Sequence, residues 1–138
     1  MRIKMQIERK FPLMLLLMLS SLVFLTGCNT KCKFDGLKVV DENGFRMDYS
    51  MLDKTEEAVL SLVKGDELEV DISQKKGTVS VVVCVDGREP VYKGSDLGEA
   101  HFTLIIPESG DYHISITGHR SQGLVLFFIK HYCNEVSK

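Results

Sequence analysis

The sequence predicts an all-β domain, an antiparallel β-sandwich of seven or eight strands with a jelly-roll or Ig-like layout, a closed barrel being the second choice. Three observations carry that expectation. Apolar residues after residue 36 come in short runs, most alternating with period two. Turn residues punctuate these runs at spacings of about 8–14 residues, the rhythm of a sandwich. No segment of the same region carries a helix-length apolar stripe.

The elements follow in order. Phe45-Arg-Met-Asp-Tyr-Ser-Met51 places Phe45, Met47, Tyr49 and Met51 on one face of a strand. Residues 53–63 contain the helix formers Glu56, Glu57, Ala58 and Leu60, yet the next strand starts at Leu68 and no apolar stripe supports a helix, so Ala58, Leu60 and Leu62 are read as one strand face. Leu68–Ile72 and Val79–Val85 alternate, and Val91–Lys93, Phe102–Ile106, Tyr112–Ile116 and Leu124–Ile129 are further short apolar runs read as strands. Between them lie Asn43-Gly44, Lys64-Gly65-Asp66, Lys75-Lys76-Gly77, Asp86-Gly87, Pro107-Glu-Ser-Gly110 and Gly118–Gly123, all read as turns.

Charge is uneven along the chain. The whole carries 17 basic and 19 acidic residues, and four basic and one acidic precede Cys28, leaving 13 against 18 beyond it. An acidic domain with no basic stripe excludes a general nucleic-acid binder.

Residues 1–10 are basic, and Leu13–Leu25 is apolar apart from Ser20 and Ser21. That run is short of the ~20 residues a spanning helix needs and has the length of a secretory apolar region. Leu25-Thr26-Gly27-Cys28 follows directly. This arrangement resembles the lipobox of bacterial lipoproteins. The resemblance implies cleavage before Cys28, with diacylglycerol and fatty acyl chains such as palmitate as the only covalent groups and no other cofactor. It places the protein on the bacterial cell membrane, lipid-anchored, its domain facing outside the cytoplasm. Two or more acyl chains hold stably where one is marginal, at about 0.8 kcal/mol per buried methylene. The expected organisation is a signal peptide at 1–27, a lipidated cysteine and tether at 28–36, the β domain at 37–132 and a tail at 133–138.

Gly65-Asp66, Asp86-Gly87, Val91-Tyr-Lys-Gly94 and Pro107-Glu-Ser-Gly-Asp-Tyr112 also resemble the turn pattern of small β-sandwich domains on secreted bacterial proteins, including those appended to secreted peptidases. The likeness implies a fold and brings no catalytic residue with it.

Candidate chemistry is sparse. Pairing the strands around Pro107–Gly110 as a hairpin matches Ile106 with Tyr112, Leu104 with Ile114 and Phe102 with Ile116. His101 and His113 then lie on the outer face about 13 Å apart at ~3.4 Å per residue, too far to share an ion that needs ligands at ~2 Å. His119 and His131 fall in a loop and near the tail. Ser109 and Ser115 lack a Gly-x-Ser-x-Gly elbow. Asp41-Glu42-Asn43 could touch calcium but lacks the spacing of a dedicated loop. No metal site and no catalytic residue is expected. Tyr49, Tyr112, Phe45 and Phe102 fall on core faces, leaving Tyr92, Phe127 and Tyr132 to be exposed, too few for a sugar platform.

Two features point towards binding. Leu124–Ile129 is apolar on both faces, with Leu124, Leu126 and Phe128 on one and Val125, Phe127 and Ile129 on the other. Val125, Phe127 and Ile129 are either covered by the 34–40 segment or form an interaction patch. Beyond Cys28, Cys32, Cys84 and Cys133 remain: either Cys32 pairs with Cys133, because domain ends tend to lie close together, and leaves Cys84 a free thiol, or all three stay reduced. The expected function is that of a membrane-anchored, non-catalytic binding or interaction module, its partner an envelope protein or glycan and not nucleic acid. The alternative is a small extracellular hydrolase or metal-dependent enzyme.

Overall fold

The computed structural model describes residues 33–131. These residues form seven strands and no helix: β1 (Phe34–Asp41), β2 (Gly44–Leu52), β3 (Thr55–Leu62), β4 (Glu67–Val85), β5 (Tyr92–Leu97), β6 (Glu99–Ile105) and β7 (Gly110–Lys130). All belong to one antiparallel sheet. Within the stretch at 53–63, Thr55–Leu62 is a strand, as its short apolar alternation required. β1 begins at Phe34, ahead of the expected domain boundary at 37.

β4 and β7 dominate the sheet, at 19 and 21 residues. They pair from Glu67↔Lys130 to Val85↔Tyr112. Their outer edges are shared out by halves. The first half of β4 pairs with β6 and the second with β5. The first half of β7 pairs with β3 and the second with β2, which in turn holds β1. Two groups result, β1-β2-β7-β4-β6 and β3-β7-β4-β5, joined by the same two long strands.

Two expected turns are therefore not turns. Lys75-Lys76-Gly77 and Gly118–Gly123 lie inside β4 and β7. The ladder slips register between Gln74 and Lys76 and again between Lys76 and Thr78, and Gly77 and Arg120 take positive φ, at 65° and 47°. Bulges bend a strand without ending its pairing. A Cβ on Gly77 would stand 2.5 Å from the His119 carbonyl oxygen, so the bend needs a residue without a side chain. The bend also changes phase. Leu68, Val70 and Ile72 are buried before it in β4, and Val79, Val81 and Val83 after it. In β7 the set passes from Tyr112, Ile114 and Ile116 to Val125, Phe127 and Ile129. Because side chains alternate with period two, a slip of one residue swaps every face beyond it. Both groups thereby send their apolar sides into a single core cluster.

The expected hairpin between β6 and β7 does not form. Phe102 and Leu104 lie opposite Val70 and Leu68 of β4, whereas Tyr112 and Ile114 lie opposite Leu60 and Ala58 of β3. Pro107 has no N–H to give a hairpin ladder, and the end of β6 is already engaged. Ile106 N–H donates to the Asp66 carbonyl at 2.9 Å, and Gly65 N–H donates to that of Ile106 at 2.8 Å. The chain at 107–109 thus crosses from one group to the other, pinned where the Tyr112 hydroxyl donates to the Glu108 carbonyl at 2.6 Å.

Candidate functional site

The second half of β7 runs between β2 and β4 and is apolar on both sides. Val125, Phe127 and Ile129 are buried in the main core, with Phe127 only 1% exposed and its ring 6.0 Å from that of Phe45. They form no exposed interaction patch, and Phe127 is not among the exposed aromatics. Nor does the 34–40 segment cover them. β1 lies beside β2 in the sheet, joined to it by a tight turn in which the Asp41 carboxylate accepts from the N–H groups of Asn43 at 2.8 Å and Gly44 at 3.1 Å. β1 pairs with β2, and β2 in turn with β7, so β1 extends that side of the sheet and does not lie over β7. Those two bonds are also what Asp41 does in the Asp41-Glu42-Asn43 turn.

The other side of β7 builds the candidate site. Across the ladder, Val39 faces Arg46, Arg46 faces Leu126, and Leu126 faces Asp71. The adjacent row runs Leu37, Asp48, Leu124, Ser73. Phe128 stands opposite Gly44 on one side and Glu69 on the other. Leu37, Val39, Gly44, Arg46, Leu126 and Phe128 line a groove of about 370 Å³. Gly44 supplies floor without bulk: its φ is 144°, and a Cβ there would collide with the Phe127 carbonyl. Leu37 is 62% and Phe128 43% exposed, high values for such side chains.

Towards the bend a second groove of about 370 Å³ is polar, lined by Asp48, Ser50, Ser73, Lys75 and Gln122, with Leu124 between the two. Beneath it the Tyr49 hydroxyl donates to Gln74 Oε1 at 2.9 Å. Burial raises the Tyr49 phenol above its ordinary pKa, against the lowering effect of hydrogen bonds with Ser121 and Gln74.

Charge borders the apolar groove. The Arg46 guanidinium approaches Asp48 no closer than 3.8 Å, and both side chains are well exposed. Glu69, opposite Phe128, lies 2.7 Å from Lys130, whose ammonium holds the carboxyl below its usual range, and 3.5 Å from His101 Nε2. The arrangement can hold an apolar body with an anionic group against Arg46. It presents no nucleophile with a base beside it.

The histidines are dispersed. His101 on β6 stands opposite Asp71, and His113 on β7 lies between Val59 and Cys84, so the two belong to different groups and the ladder distance inferred for them from a hairpin does not apply. His113 Nε2 is 3.1 Å from Asp86, His119 Nε2 3.3 Å from the Ser80 hydroxyl, and His131 Nδ1 3.4 Å from Asp66. Among the described residues no three His, Cys, Asp or Glu side chains group as metal ligands would. The Ser109 hydroxyl accepts from Lys64 N–H at 2.8 Å, a turn contact. Cys84 is a half-buried free thiol. Tyr92 is half-buried, its ring 4.4 Å from that of Phe102. Cys28, Cys32, Cys133 and Tyr132 lie outside the described residues.

The two apolar faces of 124–129 are legible in the sequence: Val125, Phe127 and Ile129 are buried, as one of the two expectations had it, but in the main core and not beneath 34–40, and the open side is that of Leu124, Leu126 and Phe128. The turn at Asn43-Gly44 was the available signal, since it makes 34–41 a hairpin partner of β2 and so removes it as a cover. No protein-family model matches this chain, and no curated protein matches it.

Proposed function

We propose that this chain is an extracytoplasmic lipoprotein, held on a bacterial membrane through acyl chains on Cys28, whose β domain works as a non-catalytic interaction module. The observation that carries the reading is Leu25-Thr26-Gly27-Cys28 at the end of a basic and then apolar leader. A module of this kind needs a rigid scaffold and an accessible face. The one core cluster and the apolar outer face of β1, β2 and β7 support that requirement.

In this reading the sheet doubles over at the bends of β4 and β7 into the two layers of a sandwich. Three contacts between the groups support it. Side chains of both enter one core, the Tyr92 and Phe102 rings link β5 to β6, and the Lys38 ammonium on β1 meets Glu56 on β3 at 2.7 Å.

Metabolic labelling with palmitate tests the anchor. The natural chain should take up label and lose its leader, while Cys28→Ala should accumulate unlabelled at precursor length. Full labelling of Cys28→Ala would overturn the reading.

A further inference from the structure

We infer that the partner of the apolar outer face is the bilayer itself: Leu37 and Val39, with Leu126 and Phe128 behind them and Arg46 between, rest in the boundary between headgroups and acyl chains. This rests on lipidation at Cys28.

Reach comes first. Residues 29–33 separate Cys28 from Phe34, and a chain extends at most ~3.3–3.6 Å per residue, so β1 starts within roughly 20 Å of the anchor. Composition comes second. Of the nine large apolar side chains left exposed among the described residues, Leu37, Val39 and Phe128 share one face, the outer face of the strands the tether enters. Third, β1 is an edge strand whose register slip lies at its start, between Asp35 and Gly36, leaving Leu37–Val40 without a bulge. It has no proline, and its single lysine is drawn aside, the Lys38 ammonium donating to Glu56 Oε2 at 2.7 Å and to the Glu57 carbonyl at 3.2 Å.

The chemistry of the face suits a lipid interface. Arg46 sits among apolar side chains and is only loosely engaged with Asp48, and a guanidinium in that setting matches a lipid phosphate. Asp41 and Glu42 at the far end of β1, and Glu69 and Asp71 beyond β7, bound the apolar strip on two sides. The outward backbone groups of an edge strand must stay hydrated, which limits contact to interfacial depth.

The chain contains no tryptophan, so one introduced indole reports one place. Leu37→Trp probes the face, and Val59→Trp, 47% exposed on β3 in the other group, serves as control. Each full-length, lipidated variant is placed in phosphatidylcholine vesicles with and without lipid brominated near the headgroup end of its acyl chains. For an interfacial side chain, Leu37→Trp emission should fall at least about twofold while Val59→Trp changes by less than about a tenth. If the protein's mass confirms acylation but Leu37→Trp is quenched no more than Val59→Trp, the inference falls and the lipoprotein reading stands. A blue-shifted Leu37→Trp emission that bromine leaves unchanged means a second copy covers β1, which also overturns it. A mass without acyl groups sinks the lipoprotein reading separately. Quenching at position 37 of such a chain on vesicles would still uphold the lipid-facing surface, and none there would end both.

Discussion

β1 and the second half of β7 carry similar sequences, Leu37-Lys-Val-Val40 against Leu126-Phe-Phe-Ile129, and only one of them reaches the core. In β7 the inner side chains Phe127 and Ile129 are 1% and 6% exposed while Phe128 on the outer face is 43%, whereas in β1 Leu37, Val39 and Val40 are all open, at 62%, 40% and 47%. The difference is position. β7 runs between β2 and β4 with the core on one side, and β1 has a neighbour on one edge only. Apolar character was sufficient to make both segments strands, but burial depended on how many neighbours each received.

The comparison can be broken most forcefully at Phe127. Phe127→Ala removes a ring packed against Phe45 and should cost about 3–5 kcal/mol of unfolding free energy, a large part of the 5–15 typical of a domain. Denaturant unfolding of the parent and the variant measures it. A loss below about 1 kcal/mol would mean that the site collapses readily or that Phe127 is not at the centre of the core.

An intermediate effect belongs to the contact that ties the β1 edge to β3. Burial alone would raise the Glu56 carboxyl, but hydrogen bonds and charge from Lys38 at 2.7 Å and Lys54 at 2.5 Å hold its pKa below the ordinary value. Glu56→Gln should cost about 1 kcal/mol at neutral pH, given that both lysines are partly exposed. A carboxyl whose folded pKa is lowered binds its proton more readily unfolded. Its stabilisation is therefore complete above the ordinary pKa of 4.5, fades as pH falls below it, and is gone beneath the lowered folded value. The gap between parent and Glu56→Gln should close over that acid window in pH-dependent unfolding. A gap that persists into acid would assign the effect to packing.

The smallest effect is expected at Leu37. Leu37→Ala on the open face of β1 should change unfolding free energy by less than about 0.5 kcal/mol. The contrast with Phe127→Ala then measures what a second neighbour and a facing core contribute. A large loss at Leu37 would show that something already covers the edge.

Legibility tracked the range of the interaction. Phe45, Met47, Tyr49, Leu68, Val70, Ile72, Tyr112 and Ile114 were readable as core because each lies in an unbroken alternation, and all are buried. The apolar groove was half legible. The doubly apolar stretch 124–129 announced two occupied faces, but choosing the outer one required knowing that β1 joins β2 edge to edge. The proposal for Cys28 rests on the local motif Leu25-Thr26-Gly27-Cys28 alone and not on the fold.

Strands in place of helices, and the inward set within the cleanly alternating runs, follow from residues a few positions apart, through φ/ψ preference and period-two alternation. That 67–85 and 110–130 are single bent strands, that β6 pairs with β4 and not with β7, and which face of β7 meets the core depend on contacts between distant segments. Glycine at a bulge and glycine at a turn look alike in sequence, because both exploit the same freedom at positive φ. What separates them is whether a partner strand continues alongside, and at Gly77 that partner is β7, brought there from more than 40 residues along the chain.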